Sequence, residues 1–130
     1  MTRLTIKVTK DIIEKSRFCG QVKDLHNSST HCAIALAIRD IFPDARVSPN
    51  HIYPFGPIFL NNDDMKRVYI QLPKEAIIFI SIFDNMDACQ RLELAEITFD
   101  IEIPDIVIEK IDIDELKPLL ANHPTLALSV

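Results

Sequence analysis

The 130-residue chain contains only two glycines, no tryptophan and three cysteines. Loops that bind nucleotide phosphates through backbone N–H groups need several glycines, and neither GxGxxG nor GxxxxGK[ST] is present. The cysteines (Cys19, Cys32 and Cys89) are odd in number and lack paired spacing, which disfavours a disulfide framework. No apolar run approaches the roughly 18 residues of a membrane span, and the first ten residues lack the apolar centre of a signal peptide. We therefore expect a reduced, cytoplasmic protein that does not enter a membrane.

The composition is that of an ordinary globular domain, with 48% hydrophobic and 25% charged residues. A chain of this length is long enough to bury its own core and suits a single domain over residues 1–130. Its net charge of −5 is unevenly distributed. Residues 1–47 hold eight basic against five acidic side chains, whereas residues 84–116 hold eleven acidic against two basic ones. Such asymmetry bears on the choice of partner rather than on the fold.

Hydrophobic periodicity predicts an α+β fold. Residues 2–8 alternate as a half-buried strand, and 95–103 alternate most clearly of all. Residues 30–42, capped by Ser29 or Thr30 and ended by Pro43, have no polar residue between 32 and 38, so this helix should be the buried centre. We interpret 74–84 as a helix and 105–113 as an edge strand. The expected architecture is one compact domain, with a mostly antiparallel sheet of four to six strands backed by two to four helices.

The region around Cys32 is the one place where the sequence suggests reactive chemistry. Cys19, His26, His31 and Cys32 have the right atoms for zinc, but their spacing does not match the usual ligand patterns. A nucleophilic pair of Cys32 and His31 at the start of a helix is an open alternative. The apolar residues that follow favour Cys32 as a small core residue instead. We therefore predict no enzyme activity, no metal and no cofactor.

The acidic segment 84–116 is the feature with the clearest bearing on partners. A row of carboxylates along neighbouring strands resembles the phosphates of a nucleic acid and could occupy the basic groove of a nucleic-acid-handling protein. An ordinary solvated face that prevents edge-to-edge aggregation is the alternative. We call this predicted set the acidic surface; its members are Glu96, Asp100, Glu102, Asp105, Glu109, Asp112 and Asp114. The aromatic loop residues Tyr53, Phe55 and Phe59 form a second candidate interface, or else plug the edge of the core.

Direct nucleic-acid binding is the weaker alternative. The candidate basic residues are mixed with acidic ones, and only Phe18 lies among them as a stacking aromatic. They are Arg3, Lys7, Lys10, Lys15, Arg17 and Lys23.

Several residues match a pattern of the form C-x-I-A-x-A-x-R, then P-D-A-x-V, then L-P and F-I-x-x-F-D. The matching positions are Cys32, Ile34, Ala35, Ala37 and Arg39; Pro43, Asp44, Ala45 and Val47; Leu72 and Pro73; Phe79, Ile80, Phe83 and Asp84. In this the chain resembles small uncharacterised proteins encoded by bacteriophages and mobile elements, which have no assigned activity. It departs from them in having Ala33 where they often carry proline, and in a longer acidic C-terminal part. The resemblance implies a fold core and a phage-like origin, and it supports a helix at 74–84.

These observations predict a non-enzymatic protein of phage or mobile-element type that binds a larger protein partner. The sharper hypothesis is an inhibitor of a host nucleic-acid-targeting defence system, anti-CRISPR-like, that acts through the acidic surface. A nucleic-acid-binding protein, a Cys/His-dependent enzyme and a virion component are the alternatives. The sequence leaves the oligomeric state open.

Overall fold

A computed structural model describes residues 2–19, 32–56, 59–61 and 66–129. The strands in these ranges are β1 (Thr2–Val8), β2 (Arg46–Val47), β3 (His51–Tyr53), β4 (Phe59–Asn61), β5 (Lys66–Arg67), β6 (Ile70–Gln71), β7 (Ile97–Ile103) and β8 (Leu126–Ser129). The helices are α1 (Lys10–Ser16), α2 (Ala33–Ala37), α3 (Lys74–Asp84), α4 (Ala88–Arg91), α5 (Asp105–Ile108) and α6 (Ile113–Leu120). The predicted α+β class is confirmed. Six helices in the described part exceed the expected two to four, because α4 and α5 are single turns.

The first sheet has the strand order β7-β1-β8, and all of its pairings are antiparallel. β1 and β7 pair along their whole length, from Thr2 opposite Ile103 to Val8 opposite Ile97. Alternate residues of both strands face the core, as their period of two predicts. The charged residues between them (Arg3, Lys7, Asp100 and Glu102) lie on the outer face.

The second sheet is small and has the order β2-β3-β6, and β4 and β5 form a separate pair. The expected single sheet of four to six strands is therefore wrong: β6 lies beside β7 without pairing to it. The physical reason is local. β6 is only two residues long, the N–H of Leu72 donates to the carbonyl of Asn50 at 3.0 Å, and Pro73 then has no N–H to offer.

Helix α2 occupies the predicted central position, but it is much shorter than the predicted 30–42. Cys32 is its N-cap residue, with extended φ and ψ of −69° and 166°; Ser29 and Thr30 lie outside the described residues. After Ile38 the chain tightens, since the N–H of Arg39 bonds to Leu36 and that of Ile41 to Ile38. Ile41 and Phe42, in and beyond these turns, are also buried in the core.

Segment 105–113 is not the predicted edge strand: it contains α5 (Asp105–Ile108), a turn and bend over 109–111, and the first residue of α6. Pro104 stands at the N-cap with φ −60°, and its carbonyl accepts from the N–H groups of Val107 and Ile108, so a helical turn begins at the point where the strand was expected. In and after this turn Val107 is completely buried, and Ile108 and Ile111 pack partly against the core.

The predicted strands at 2–8 and 95–103 and the predicted helix at 74–84 are confirmed as β1, β7 and α3. Thr9 caps α1, and its hydroxyl accepts from the N–H of Ile12 at 3.3 Å. α3 buries Ala76, Phe79, Ile80 and Phe83 at helical spacing. Asp112 caps α6, and β8 completes the first sheet beside β1. The buried side chains of both sheets and of the helices form one core cluster.

Candidate functional site

An open groove of about 930 Å³ lies where the two sheets meet, between β6 and β7. Its floor is formed by Leu72, Pro73, Ile101, Ile103 and Pro104; the two prolines are partly exposed and the other three are almost fully buried, so the exposed apolar surface of the floor comes from the prolines. We call it the β6–β7 groove; its lining residues are Arg3, Tyr69, Gln71, Leu72, Pro73, Asp100, Ile101, Glu102, Ile103, Pro104 and Asp105. The edges of β6 and β7 lie side by side here without pairing, and Pro73 and Pro104, which follow these strands, have no N–H with which to extend either of them. The groove is thus a direct consequence of the division into two sheets.

The acidic side of the groove comes from β7 and the residue that begins α5. Asp100 and Glu102 point outward because they alternate with core residues along β7, and Asp105 follows Pro104 at the start of α5. One oxygen of Asp100 accepts from the hydroxyl of Thr5 at 2.5 Å. Among the described residues that line the groove, Arg3, the Cα partner of Glu102 on β1, is the only cation. Three carboxylates against one guanidinium make the rim net negative.

The opposite side of the groove presents an aromatic ring. Tyr69 is 53% exposed, and its ring packs edge-on against that of His51, with 4.7 Å between the centroids. The side-chain amide of Gln71 donates to the carbonyls of Asn50 and Leu72, which fixes this side chain along the wall. Tyr69 was not a predicted site residue. The alternation of Val68 and Ile70 around it was the signal that it would face outward.

The predicted acidic surface is not continuous. Because 105–113 is not a strand, its seven members divide into three groups. Glu96 stands at the far end of β7, where its Oε2 accepts from the N–H of Lys10 at 2.8 Å and so caps α1. Asp100, Glu102 and Asp105 line the groove.

The third group of acids lies around the turn between α5 and α6. Glu109, Asp112 and Asp114 line a shallow depression that also contains Lys110. One oxygen of Asp112 is occupied by the N–H of Glu115 at 3.2 Å, as a helix cap. This depression also has apolar lining residues (Ile108, Ile111 and Ile113), but it is smaller, about 500 Å³, and only the groove has an aromatic ring among its described lining residues.

The predicted aromatic loop is also divided. Phe55 packs edge-to-face on Phe42 with 6.2 Å between centroids, which makes it a plug at the edge of the core. Tyr53 lies on β3 near the ring of His51, at 6.2 Å. The side chain of Phe59 lies outside the described residues. Tyr53 therefore belongs with His51 and Tyr69 on the outer face of the second sheet, and not with Phe55.

The Cys32 thiol lies in a narrow cleft between α2 and α3. Its neighbours there include Ala33, Phe79 and Phe83, and burial raises the pKa of Cys32 to about 12. Burial also raises the pKa of Cys19, although Arg91 opposes this shift. A thiol that stays protonated is a weak nucleophile and a poor metal ligand. His26 and His31 lie outside the described residues, and the part of the chain that is described contains no group of three His, Cys, Asp or Glu residues placed to hold a metal.

A second cluster, Asp40–His123–Thr125, has the composition of a catalytic triad. The Nε2 of His123 lies 2.6 Å from an oxygen of Asp40, and its Nδ1 lies 3.2 Å from the hydroxyl of Thr125. However, the backbone N–H of Thr125 donates to this Nδ1 at 3.1 Å, and the hydroxyl donates to the carbonyl of Ala37 at 3.0 Å. The His123 imidazole and the Thr125 hydroxyl thus make hydrogen bonds that connect the segment before β8 to α2 and the residues after it. This is a structural link between elements rather than a nucleophile with its base.

The described basic residues of the N-terminal third do not form a phosphate-binding field. Lys15 pairs with Asp11 at 2.9 Å, and the amino group of Lys10 donates to the carbonyls of Leu92 and Leu94. Arg17 lies near Glu14 and over the ring of Phe18. Arg3 and Lys7 share the outer sheet face with Asp100 and Glu102. Lys23 lies outside the described residues.

Arg91 is a buried charged residue that the sequence analysis did not single out. Its side chain is only 2% exposed; Nε donates to the carbonyl of Phe83 at 2.8 Å, and Nη1 donates to those of Arg17 and Cys19 at 2.9 and 2.6 Å. The guanidinium also lies over the Phe83 ring, 3.9 Å from its centroid. These carbonyls belong to the C-terminal ends of α1 and α3, where a cation is favoured. Arg91 therefore fastens α4 to two other helices.

Comparison with protein-family models, with curated proteins and with solved structures finds no match to this chain. Among the helices of the described residues, none has both the length and the apolar character that crossing a membrane requires.

Proposed function

We propose that this chain is a non-enzymatic protein that acts by binding a larger protein through the β6–β7 groove. The observation that carries the proposal is the combination of an apolar floor and a net negative rim in one open groove. Apolar contact supplies affinity on desolvation, and unpaired rim charges select the partner and steer its approach. The depression around Asp112 also combines carboxylates with apolar residues, but it has about half the volume of the groove and no aromatic ring among its described lining residues.

The non-enzymatic part of the proposal is supported by the two places where catalysis was considered. The Cys32 thiol is held protonated between helices, and the groups of the His123 cluster are bonded to backbone. Neither lines the groove. The described lining of the groove contains no thiol and no imidazole, which supports a protein that acts by occupying a surface.

The sharper form of the proposal concerns the partner. The resemblance to proteins of phages and mobile elements and the carboxylates of the rim together support an inhibitor of a nucleic-acid-targeting defence complex, anti-CRISPR-like and located in the cytoplasm. Carboxylates spaced along β7 would compete with backbone phosphates for a basic surface of that complex. Direct binding of nucleic acid by this chain is not part of the proposal.

A capture experiment with matched charge variants tests the proposal. The tagged chain is incubated with bacterial lysate, with and without nuclease treatment. We compare it with E102K/D105K in the groove and with E75K/E93K, which makes the same change in net charge at exposed positions outside the groove. We expect a partner that survives nuclease treatment, is lost with E102K/D105K and is retained with E75K/E93K. Equal loss with both variants would show a non-specific charge effect and contradict the proposal.

Competition for nucleic acid tests the sharper form. Once a partner is captured, its binding to labelled nucleic acid is measured with increasing amounts of this chain. Displacement by the wild type and by E75K/E93K, but not by E102K/D105K, is expected. A ternary complex with the nucleic acid still bound would exclude phosphate competition. In parallel, filter binding of this chain alone to nucleic acid at low ionic strength should show no salt-dependent affinity.

A further inference from the structure

We propose that the segment bound in the β6–β7 groove is an extended, arginine-containing stretch of the partner, with one arginine placed between the Tyr69 ring and the carboxylates of Glu102 and Asp105. This inference rests on the proposed function and names the chemistry of its partner. It follows from the shape of the groove, its charge and the position of one aromatic ring.

The shape favours an extended segment over a helix or a compact ligand. The floor consists of consecutive residues of β7 and the residues that follow β6, so it runs along two neighbouring strand edges. β6 and β7 do not pair with each other. A peptide in an extended conformation matches such a floor, because its own side chains alternate between floor and rim.

The charge selects a cationic segment. Asp100, Glu102 and Asp105 lie on one side, and within the described part of the chain Arg3 is the single cation that lines the groove. A carboxylate binds a guanidinium through two parallel hydrogen bonds, which a lysine ammonium cannot reproduce. The rim therefore favours basic segments over acidic ones, and arginine over lysine.

The Tyr69 ring gives a second and independent reason for arginine. An exposed aromatic face attracts a guanidinium by a cation–π interaction and by stacking on its plane. The ring is braced from one side by His51 at 4.7 Å, so it needs little further ordering on binding. An aromatic wall opposite a carboxylate wall is the arrangement that recognises a planar cation.

Arg3 has a distinct role in this arrangement. It lies beside Glu102 on the adjacent strand and lines the same groove, so its charge opposes an incoming arginine. Removal of this charge should strengthen binding of a basic segment. A gain of affinity is a useful readout because a misfolded variant would not produce it.

The test is the binding of short fluorescent peptides to the purified full chain, followed by fluorescence anisotropy at low and moderate salt. The probes alternate serine with arginine, with lysine or with glutamate. We expect the arginine peptide to bind most tightly, the lysine peptide more weakly by about two- to fivefold, and the glutamate peptide not at all. E102K/D105K should weaken binding of the arginine peptide by about tenfold or more, while E75K/E93K should leave its affinity unchanged.

Two further variants separate the ring from the charges. Y69L keeps an apolar side chain but removes the ring, so it should abolish the preference for arginine over lysine; Y69F should keep that preference. R3Q should increase the affinity for the arginine peptide by about two- to fivefold. Circular dichroism of each variant establishes that it is folded before its binding is interpreted.

Several results would overturn the inference. Equal binding of the basic and acidic peptides, no gain with R3Q, or equal effects of the groove and control variants would each exclude a cationic segment. Concentration-dependent dimers in light scattering that E102K/D105K disrupts would assign the groove to a second copy of this chain instead. If a partner captured from lysate needs the groove but no basic peptide binds, the proposed function stands and this inference fails. If the peptide binds but no groove-dependent partner is found, the proposed function fails.

Discussion

The polar groups of this protein fall into two regions with different surroundings. In the interior, Arg91 and Thr125 are buried, and the structure gives their side chains hydrogen bonds to backbone carbonyls. At the groove rim, Glu102 and Asp105 are exposed, and the neighbouring ring of Tyr69 faces open space. Buried polar groups that are fully bonded specify the fold, whereas exposed charges on an apolar groove are available to a partner. Whether a polar or charged residue stabilises the fold or is available to a partner therefore depends on its burial, which the sequence does not give.

The largest expected effect is on the interior side of this comparison. R91M should lower the free energy of unfolding by about 3 kcal/mol or more, since it leaves three carbonyls without a donor, each costing about 1–3 kcal/mol. Urea denaturation followed by circular dichroism measures the change. K110M removes the same charge from an exposed position and should have an effect below about 0.5 kcal/mol. If R91M and K110M are equally stable, the hydrogen bonds that Arg91 donates to the three carbonyls do not stabilise the fold.

Thr125 should give the next largest effect. T125V keeps the shape of the side chain but leaves the Ala37 carbonyl without the hydroxyl donor, at a cost of about 1–2 kcal/mol. T98V is the matched control, because Thr98 lies on the exposed face of β7. Thermal and urea unfolding of both variants check this prediction. A T125V variant as stable as T98V would show that the link between β8 and α2 contributes little.

The buried thiol of Cys32 predicts a dependence of stability on alkaline pH. Its pKa in the folded protein is raised from 9.0 to about 12, so above pH 9 the unfolded chain releases this proton first. The stability that Cys32 contributes is complete below pH 9 and is lost as the pH rises towards 12, by at most about 1.4 kcal/mol per pH unit. C32A should therefore lose less stability between pH 8 and pH 10 than the wild type does.

Exposed Cys89 is the reference for this comparison, and C89A should show the wild-type slope. In the folded protein a thiol reagent should modify Cys89 well before Cys32. Equal slopes for C32A and C89A, or fast modification of Cys32, would contradict burial of that thiol.

The smallest stability effect is expected at the rim. E102K/D105K places a lysine opposite Arg3 and should change the free energy of unfolding by less than about 1 kcal/mol, close to the effect of E75K/E93K. The same urea titration measures both variants. If E102K/D105K lowers the free energy of unfolding much more than E75K/E93K does, the rim carboxylates stabilise the fold as the buried polar groups do, and the contrast between the two regions is wrong.

Prediction from sequence succeeded where one face of an element is buried by regular spacing. The alternation of Ile97, Phe99, Ile101 and Ile103 defines β7 because the opposite face is polar. α3 was recognised despite its β-branched residues through Pro73 and Glu75 at its start, together with the motif resemblance. In both cases the local pattern and the tertiary packing favour the same structure.

Prediction failed at 105–113, where β-branched residues favour a strand but Pro104 begins a helical turn. The isoleucines at 106, 108, 111 and 113 follow no single period, and Val107 is the residue that α5 buries completely. The length of α2 was wrong because apolar residues on every side give no period from which to read an end. For the candidate site, the sequence supplied Asp100, Glu102 and Asp105 but joined them to acids that the helices place elsewhere.

The sequence by itself determined the α+β class, the inner and outer faces of β1 and β7, and the concentration of acidic residues in the C-terminal part, because each depends only on the order and spacing of residue types. The tertiary structure alone decided that Tyr69 lines the same groove as Glu102 and Asp105 and that Arg91 is buried. These features join residues far apart in the chain, and their positions follow from how the two sheets pack on one core rather than from any local pattern.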